Sequence, residues 1–438
     1  MKIRIVMILI LLCFLARNIV HSSDERLTHF NIKIKLNPKS QHIYVKANLR
    51  LNTDEPLPDT LNFSLHKQFK ILQITGSGIN DFMFDTDAPP VSVFMRDARP
   101  LKIILKKHVN RNKPLNILFE YEGAITEWSE NCANIVTNDW VELGMYLPWF
   151  PSGFICGYFT YEIEAECDQV YNLRSYGSYS EANGIWHFKR AIPDFDINLV
   201  ASKNLKTMER ESGGYRIFFH YESLLARTAE SLSNDLANIL DYYATWFGGD
   251  KKGETFTVIQ SAREKGGDYA RKGLIVATQL TDEKYINQHE KIIRNLGHES
   301  AHFWWNMAPA YSWEDWLNES FAEYSILLVI RKMFGDEAYN KWINAKSAVI
   351  ENIPPIWGFD RNNMQASDGP DVIQANLYYK GPVLLHQLSN RIGEKAFILL
   401  CNEMVKTSIS STDSFLILLE KNHGSKTRNW FEGLLKSY

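Results

Sequence analysis

Cysteine is scarce in this chain of 438 residues, with five in total, one of which is Cys13 in the apolar N-terminal stretch. The others are Cys132, Cys156, Cys167 and Cys401. If the chain is exported, four cysteines allow three disulfide connectivities. Cys401 falls in the apolar run AFILLC, which favours a buried thiol. The spacing assigns no pairs.

An excess of charge of either sign is also missing. The chain has 48 lysines and arginines against 51 aspartates and glutamates, a formal net charge of -3. This balance gives no reason to expect nucleic acid or an anionic membrane as a partner. The sequence has no internal repeats or low-complexity tracts, and its hydrophobic content of 45% is ordinary for a soluble globular protein. It is long enough for two or three domains, and its oligomeric state is not indicated.

Long apolar runs are missing except near the N-terminus. Lys2 and Arg4 precede the run IVMILILLCFLA, and small polar residues follow near Ser22. The run is shorter than the roughly 18 residues of a membrane-spanning helix. The pattern is typical of a secretory signal peptide. We expect residues 1–23 to be cleaved and the mature protein to be exported, periplasmic or secreted, without a membrane partner; an uncleaved anchor is the alternative.

Hydrophobic periodicity divides the remaining chain in two. Residues 29–36, HFNIKIKL, alternate apolar and polar side chains, as half-buried strands do, and similar segments follow. From about Tyr221 the period becomes 3.6, and the first such helix ends at Gly248. We predict an α+β multidomain protein, with an N-terminal antiparallel β domain over residues 24–205 and a mostly helical domain over residues 206–438.

The stretch GHESAH places two histidines four residues apart. On the helix predicted for EKYINQHEKIIRNLGHESAHFWW, His298 and His302 project from one face toward one ion. Glu299 is rotated by about 100° from His298, so it can face the same cavity, stay off the metal and deprotonate a water. Zinc suits this chemistry because it keeps an open coordination position. The pattern also occurs on helices by chance, so the interpretation depends on a third ligand.

The next predicted helix, WEDWLNESFAEYSILLVIRKMFG, supplies a third ligand before it ends at Gly335. Glu319 would complete a His, His, Glu set for one zinc ion per chain. Glu323, one turn further, is placed to accept the free N–H of a ligand histidine; a solvent-exposed helix face is the alternative. Asn318 begins a glycosylation sequon, which would be buried at such a site and unmodified.

These motifs resemble the aminopeptidase N family of gluzincin metallopeptidases. HESAHFWWN and WLNESFAEY are similar to the family's HExxH and Trp-Leu-Asn-Glu-Gly, and YYKGPVLLHQL is similar to its Tyr-x-Lys-Gly. Further similar segments, in the same order, are ATWFG, IWHFKRAIPDFDINLVAS and TDSFLILLEKNHG with WFEGLLKS.

The resemblance implies a thermolysin-like catalytic domain over residues 206–438 that acts on peptides or proteins. It implies three zinc ligands and a general base, namely His298, His302, Glu319 and Glu299. It also implies that Tyr378 donates its hydroxyl to the oxyanion of the transition state, with the neighbouring Tyr379 as the alternative.

The chain departs from the family pattern in three places. Sixteen residues, 303–318, separate the second histidine from the glutamate, where the family usually has eighteen. The family's exopeptidase motif falls at GDYARKGLI, so its substrate-binding positions become Gly267, Asp268, Ala270 and Arg271. Ala270 replaces the glutamate that binds the substrate amine; Glu264 or Asp268 are the carboxylates of the same loop that offer a substitute.

The family usually continues into a helical domain beyond the position of the last residue, and without it the cleft would admit longer substrates or be covered by another subunit.

Three functions are consistent with these features. The first is a zinc-dependent peptidase with aminopeptidase activity. The second is an endopeptidase, or a peptidase of N-terminally blocked peptides, because the amine-binding glutamate is replaced. The third is a non-catalytic peptide-binding module. A structural zinc site would more often use four protein ligands, several of them cysteines, which argues against the third function.

Overall fold

The computed structural model describes residues 27–92, 95–212, 214–248, 255–310, 312–359 and 372–438. The chain divides into two compact units between Asn204 and Leu205. The predicted signal peptide lies outside the described residues. Among the helices of the described ranges, none is long and apolar enough to cross a membrane.

The N-terminal unit is built from strands with one apolar face. In β1 (Thr28–Asn37), Phe30, Ile32 and Ile34 are buried, and the polar residues between them, Asn31 and Lys33, are exposed. The other strands are β2 (His42–Leu51), β3 (Thr60–His66), β4 (Lys70–Thr75), β5 (Ile79–Phe84), β6 (Ala98–Leu105), β7 (Leu115–Ala124), β8 (Ile135–Val136), β9 (Trp140–Leu143), β10 (Phe159–Cys167), β11 (Asn172–Arg174), β12 (Ser178–Ala182), β13 (Ile185–Asp194) and β14 (Leu199–Ser202). Short 3-10 turns lie at Pro38–Ser40 and Phe154–Cys156.

These strands form three sheets. Their orders are β12-β13-β10-β1-β2-β7-β4, β11-β14-β9-β8 and β3-β6-β5. The prediction of an antiparallel domain needs one correction, because β1 and β10 pair in parallel. More than 120 residues separate these two strands, so their pairing depends on the path of the whole unit and not on local alternation.

The C-terminal unit begins with a five-stranded sheet in the order β15-β16-β17-β19-β18. Its strands are β15 (Lys206–Ser212), β16 (Tyr215–Tyr221), β17 (Thr255–Gln260), β18 (Tyr269–Arg271) and β19 (Leu274–Ala277). The central strands β16, β17 and β19 run in parallel, and β18 pairs antiparallel to β19 at the edge.

Helices make up most of the rest of this unit. They are α1 (Ala226–Phe247), α2 (Asp282–Asn287), α3 (His289–Ala301), α4 (Trp316–Phe334), α5 (Asp336–Ser347), α6 (Gly381–Ile392), α7 (Glu394–Lys406) and α8 (Thr412–Leu435), which is broken at Gly424. A 3-10 turn (Trp313–Asp315) precedes α4, and a short helical turn (Val372–Gln374) leads into a π-helical turn (Ala375–Lys380) directly before α6.

The segment predicted as one helix through GHESAHFWW is two helices. Gln288 leaves helical geometry with φ −135° and ψ 36°, which separates α2 from α3. At the break, the Tyr285 hydroxyl and His289 Nε2 both contact Asp235 on α1, at 2.7 and 2.8 Å. The hydrophobic periodicity of the sequence does not indicate this tertiary contact. Helix α3 also ends at Ala301, so the aromatic residues after His302 lie in turns.

Close packing of α3 on α4 depends on Gly297. A Cβ atom at this position would lie 2.0 Å from Cδ1 of Ile326 on α4, closer than real side chains approach. The Tyr243 hydroxyl of α1 also donates to the Gly297 carbonyl at 3.0 Å. The glycine before His298 therefore sets the spacing of the two helices that carry the candidate ligands.

The four cysteines outside the N-terminal run are all buried thiols. The buried thiol expected for Cys401 is present, with 1% of its surface exposed. Disulfides, left open by the sequence, are not formed among these residues.

Candidate metal centre

The three predicted ligands lie together in the C-terminal unit. His298 and His302 come from the end of α3, and Glu319 from the first turn of α4. Their ligand atoms all lie within 4.8 Å of one another. Oε2 of Glu319 is 3.2 Å from Nε2 of His298 and 3.5 Å from Nε2 of His302. Both histidines therefore present Nε2 to one carboxylate oxygen.

The second nitrogen of each histidine is held by another group. Nδ1 of His298 lies 3.0 Å from Oε2 of Glu323, and Nδ1 of His302 lies 3.0 Å from the Trp305 carbonyl. A proton on each Nδ1 satisfies these acceptors and leaves the lone pair of each Nε2 available to a metal ion beside Glu319. Glu323 thus lies beside His298, in position to accept its N–H, and not on a solvent-exposed helix face.

The electrostatics of the cluster favour a positive charge at its centre. Burial acts to lower the pKa of His298, but hydrogen bonds to Glu319 and Glu323 raise this pKa to about 10. Against the opposing effect of burial, the charges of the histidines hold the pKa of Glu319 well below its usual value. The buried carboxylates of the cluster thus attract positive charge.

The donor set fits zinc. Ligand bonds of about 2.0–2.1 Å around a tetrahedral ion place the ligand atoms roughly 3.3 Å apart, close to the 3.2 and 3.5 Å found here. Two imidazole nitrogens and one carboxylate oxygen are a common catalytic zinc set, which leaves a fourth position open. The three residues that would hold the metal are His298, His302 and Glu319.

Glu299 lies next to this cluster without joining it. Its carboxyl is outside the three-residue group. Burial raises its pKa above the usual glutamate value, the positive histidines oppose that rise, and the charges of Glu319 and Asp268 add to it. A carboxylate with raised basicity beside an open metal position is suited to take a proton.

Tyr378 lies over His298 from the π-helical turn. The two ring centroids are 5.4 Å apart, with 36° between the ring planes. Burial and the nearby Glu319 carboxylate raise the pKa of Tyr378 well above its usual value. The hydroxyl is therefore protonated at neutral pH and available as a donor. π-Helical turns are rare and are often found at functional sites.

The segment GGDYARKG forms the edge strand β18 and the loop before it. The Arg271 guanidinium lies 4.8 Å from the centre of the Tyr269 ring and donates to the Ala270 carbonyl at 2.7 Å. Asp268 is partly exposed, and its Oδ1 accepts from the backbone N–H and hydroxyl of Thr278 at 2.7 and 2.6 Å. Gly267 adopts φ +70°, which favours glycine. Arg271 is thus folded against Tyr269, whereas Asp268 adds negative charge near Glu299.

Sequence reasoning missed two cations of the site. Arg294 contacts Oε1 of Glu323 through Nε at 3.0 Å and Nη2 at 2.5 Å. The ammonium of Lys346, on α5, lies 2.6 Å from the same oxygen. Arg294 stands one turn before His298, so helical spacing could have revealed it. Lys346 lies beyond the end of α4, and no periodic signal connects it to the motif.

Asn318 is buried, as expected for a residue at the site. Its side-chain nitrogen donates to the Ala308 carbonyl and to Oδ1 of Asp315, both at 2.9 Å, and its side-chain oxygen accepts from the Ala308 N–H. These hydrogen bonds fix the turn that enters α4. The amide is not accessible for glycosylation in the folded chain.

An HExxH helix packed against a second helix that supplies a glutamate is the arrangement of a zinc metallopeptidase. The sequence model described as the peptidase family M1 domain matches residues 263–427, which include every candidate ligand. The chain thus carries a peptidase family M1 domain, and the resemblance to gluzincin metallopeptidases is confirmed. The match supports a hydrolase that cleaves peptide bonds with zinc.

Solved structures share the fold over nearly the whole chain. An M1 zinc metallopeptidase from Deinococcus radiodurans is 17% identical with a TM-score of 0.67, and the match covers 94% of each chain. A mutant of that protein has been solved with a Tyr-Ser-Ala substrate. Leukotriene A4 hydrolase from Saccharomyces cerevisiae is 17% identical with a TM-score of 0.65, over 95% of this chain and 69% of the yeast chain. No curated protein sequence matches.

Proposed function

We propose that this chain is a zinc aminopeptidase in which His298, His302 and Glu319 hold one metal ion. The single observation that carries the proposal is the convergence of their ligand atoms within 4.8 Å of one another. Zinc bound there supplies a Lewis acid and lowers the pKa of a water. The chain's own residues provide the remaining functions.

Proton transfer is the role of Glu299. Its half-buried carboxyl, with a pKa above the usual value, accepts a proton from the attacking water and returns it to the leaving amine. Tyr378 keeps its proton for the reason given above and donates a hydrogen bond to the oxyanion that develops on the scissile carbonyl. The two residues act on different atoms of the substrate.

Asp268 is the group that we propose binds the substrate amine. Asp268 directly precedes β18, and burial alternates along this segment, because Asp268 and Ala270 are partly exposed whereas Tyr269 and Arg271 are buried. Asp268 therefore shares a face with Ala270, roughly 6.6 Å away. Asp268 is close enough to Glu299 to influence its pKa. Oδ1 is fixed by Thr278, and Oδ2 accepts no hydrogen bond from the described residues. A carboxylate so placed would pair with a cationic α-amine.

Substitution of Asp268 by asparagine tests this assignment. Asparagine retains an acceptor for Thr278 but removes the charge, so KM for peptides with a free N-terminus should rise about tenfold, which corresponds to roughly 1.4 kcal/mol. Glu264→Gln, a change of an exposed carboxylate in the same loop, is the matched control and should leave KM unchanged. Steady-state kinetics on zinc-loaded protein measure both effects.

An endopeptidase is the second candidate, and the observation that favours it is Ala270 in place of the family's glutamate. Paired peptides with free and N-acetylated ends separate the two functions. An aminopeptidase should release the first residue of the free peptide and leave the acetylated one intact. Internal cleavage of both peptides at equal rates would contradict the role of Asp268 and favour the endopeptidase.

We also propose that the protein is exported. The support is the order of basic residues, apolar run and small polar residues over 1–23. Mass spectrometry of the mature N-terminus after expression in a secreting host should find a chain that starts near Asp24. Full-length protein retained inside the cell would contradict export.

A further inference from the structure

Lys346 is a buried lysine whose ammonium connects two parts of the site. It lies near the end of α5, with 3% of its surface exposed. Nζ is 2.6 Å from Oε1 of Glu323 and donates to the Tyr378 carbonyl at 2.7 Å. It also lies 4.9 Å from the centre of the Tyr379 ring. One carboxylate, one carbonyl and one ring face thus surround a group with three N–H donors.

Neutralising Glu323 does not by itself require Lys346. Arg294 already contributes a full positive charge and contacts the same oxygen through two nitrogens. The other oxygen of Glu323 is occupied by His298. The contact that Lys346 makes and Arg294 does not is the hydrogen bond to the main chain of Tyr378.

That main chain belongs to the π-helical turn, which is held at its far end by another lysine. Lys380 donates to the carbonyls of Ile353, Pro354 and Ser437 at 2.9, 3.1 and 2.6 Å. Lys346 holds the middle of the same turn, at the residue whose ring lies over His298. A continuous series of contacts therefore runs from His298 through Glu323 and Lys346 to Tyr378.

We propose that Lys346 is a positioning residue that fixes the Tyr378 backbone relative to the Glu323–His298 pair. It keeps the hydroxyl of Tyr378 and the metal ligand His298 in a constant relative position during the reaction. The inference rests on the proposed function, because it gives Tyr378 a role in the transition state. It adds that a residue on α5, remote from the motifs in sequence, determines where that hydroxyl lies.

The test is a double-substitution cycle of Lys346→Met and Tyr378→Phe in the full chain. In the wild-type background, Lys346→Met should lower kcat about 10- to 100-fold, the usual cost of losing an outer contact of a metal site. KM and zinc affinity should stay unchanged, as measured by kinetics and by chelator competition. In the Tyr378→Phe background the same substitution should lower kcat less than about threefold, because the effects of two residues that act through one another are not additive.

Two controls separate positioning from charge balance. Lys341→Met changes an exposed lysine on α5, 75% of whose side chain is accessible, and should have no effect. Arg294→Met removes a cation from Glu323 without disturbing the Tyr378 carbonyl, so kcat should fall less than with Lys346→Met. If Lys346→Met does not fold, the cycle is run with Lys346→Arg, which keeps the charge but not the geometry of the carbonyl contact.

Each outcome of these measurements bears on either the positioning role of Lys346 or the proposed function. Unchanged kcat in the Lys346 variant, or additive losses in the cycle, would overturn the positioning role while leaving the peptidase intact. Equal losses of kcat and zinc affinity in the Lys346 and Arg294 variants would assign Lys346 to charge balance and would also overturn it. A wild-type protein that binds zinc but cleaves no peptide would overturn the proposed function, and the inference with it.

Discussion

Replacing Glu299 with glutamine should leave zinc bound and reduce turnover about 10²- to 10⁴-fold, the contribution expected of a positioned general base. The amide keeps the size of the side chain but cannot accept the proton. Zinc should remain because Glu299 is outside the group formed by His298, His302 and Glu319. Metal content by elemental analysis and kcat on a peptide with a free N-terminus measure the two effects.

The matched control for this variant is Glu290→Gln in the first turn of the same helix. Glu290 accepts from the Trp342 indole at 2.5 Å, a bond that glutamine also accepts. Its activity should equal that of the wild type. Turnover retained in Glu299→Gln would remove Glu299 from the mechanism, and loss of zinc would show that it is a ligand.

Replacing Tyr378 with phenylalanine should lower kcat about 10²- to 10³-fold, the usual cost of one oxyanion donor. KM should change little, because the hydroxyl acts on charge that develops only in the transition state. The phenyl ring can still pack over His298, whose centroid is 5.4 Å from that of Tyr378. Zinc affinity and the unfolding transition should therefore match the wild type.

Tyr379→Phe distinguishes the two neighbouring tyrosines. The Tyr379 ring lies against the Lys346 ammonium, and phenylalanine preserves a ring face there. We expect near wild-type kcat for this variant. The reverse pattern, with Tyr379→Phe impaired and Tyr378→Phe active, would transfer the donor role to Tyr379.

Local pattern in the sequence carried most of the information about the elements. Alternation at Phe30, Ile32 and Ile34 predicts a strand with one buried face, and β1 has that face. The period of 3.6 and a glycine stop predict α1 and α4, which end at Phe247 and Phe334. The mixed fold class is confirmed by the similar M1 structures. These features follow from side chains close in sequence, where spacing alone decides which face is apolar.

Features that depend on distant contacts were wrong or absent in the prediction. The parallel pairing of β1 with β10 joins residues over 120 positions apart. The break at Gln288 accompanies contacts of Tyr285 and His289 with Asp235 on another helix. Periodicity within a window cannot report such partners, because it reads only residues that share one element.

The contrast between local sequence pattern and distant contacts also holds within the site. The sequence by itself determined the donor types: the spacing of His298 and His302 aims two imidazoles at one point, and Glu319 with Glu323 follows on the next helix. Only the tertiary structure decided the surroundings that tune these groups. Gly297 sets the distance between the two helices, Lys346 reaches Glu323 from α5, and Arg271 folds onto Tyr269. The physical reason is that ligand geometry within one helix is set by its pitch, whereas burial and charge are set by the elements packed around it.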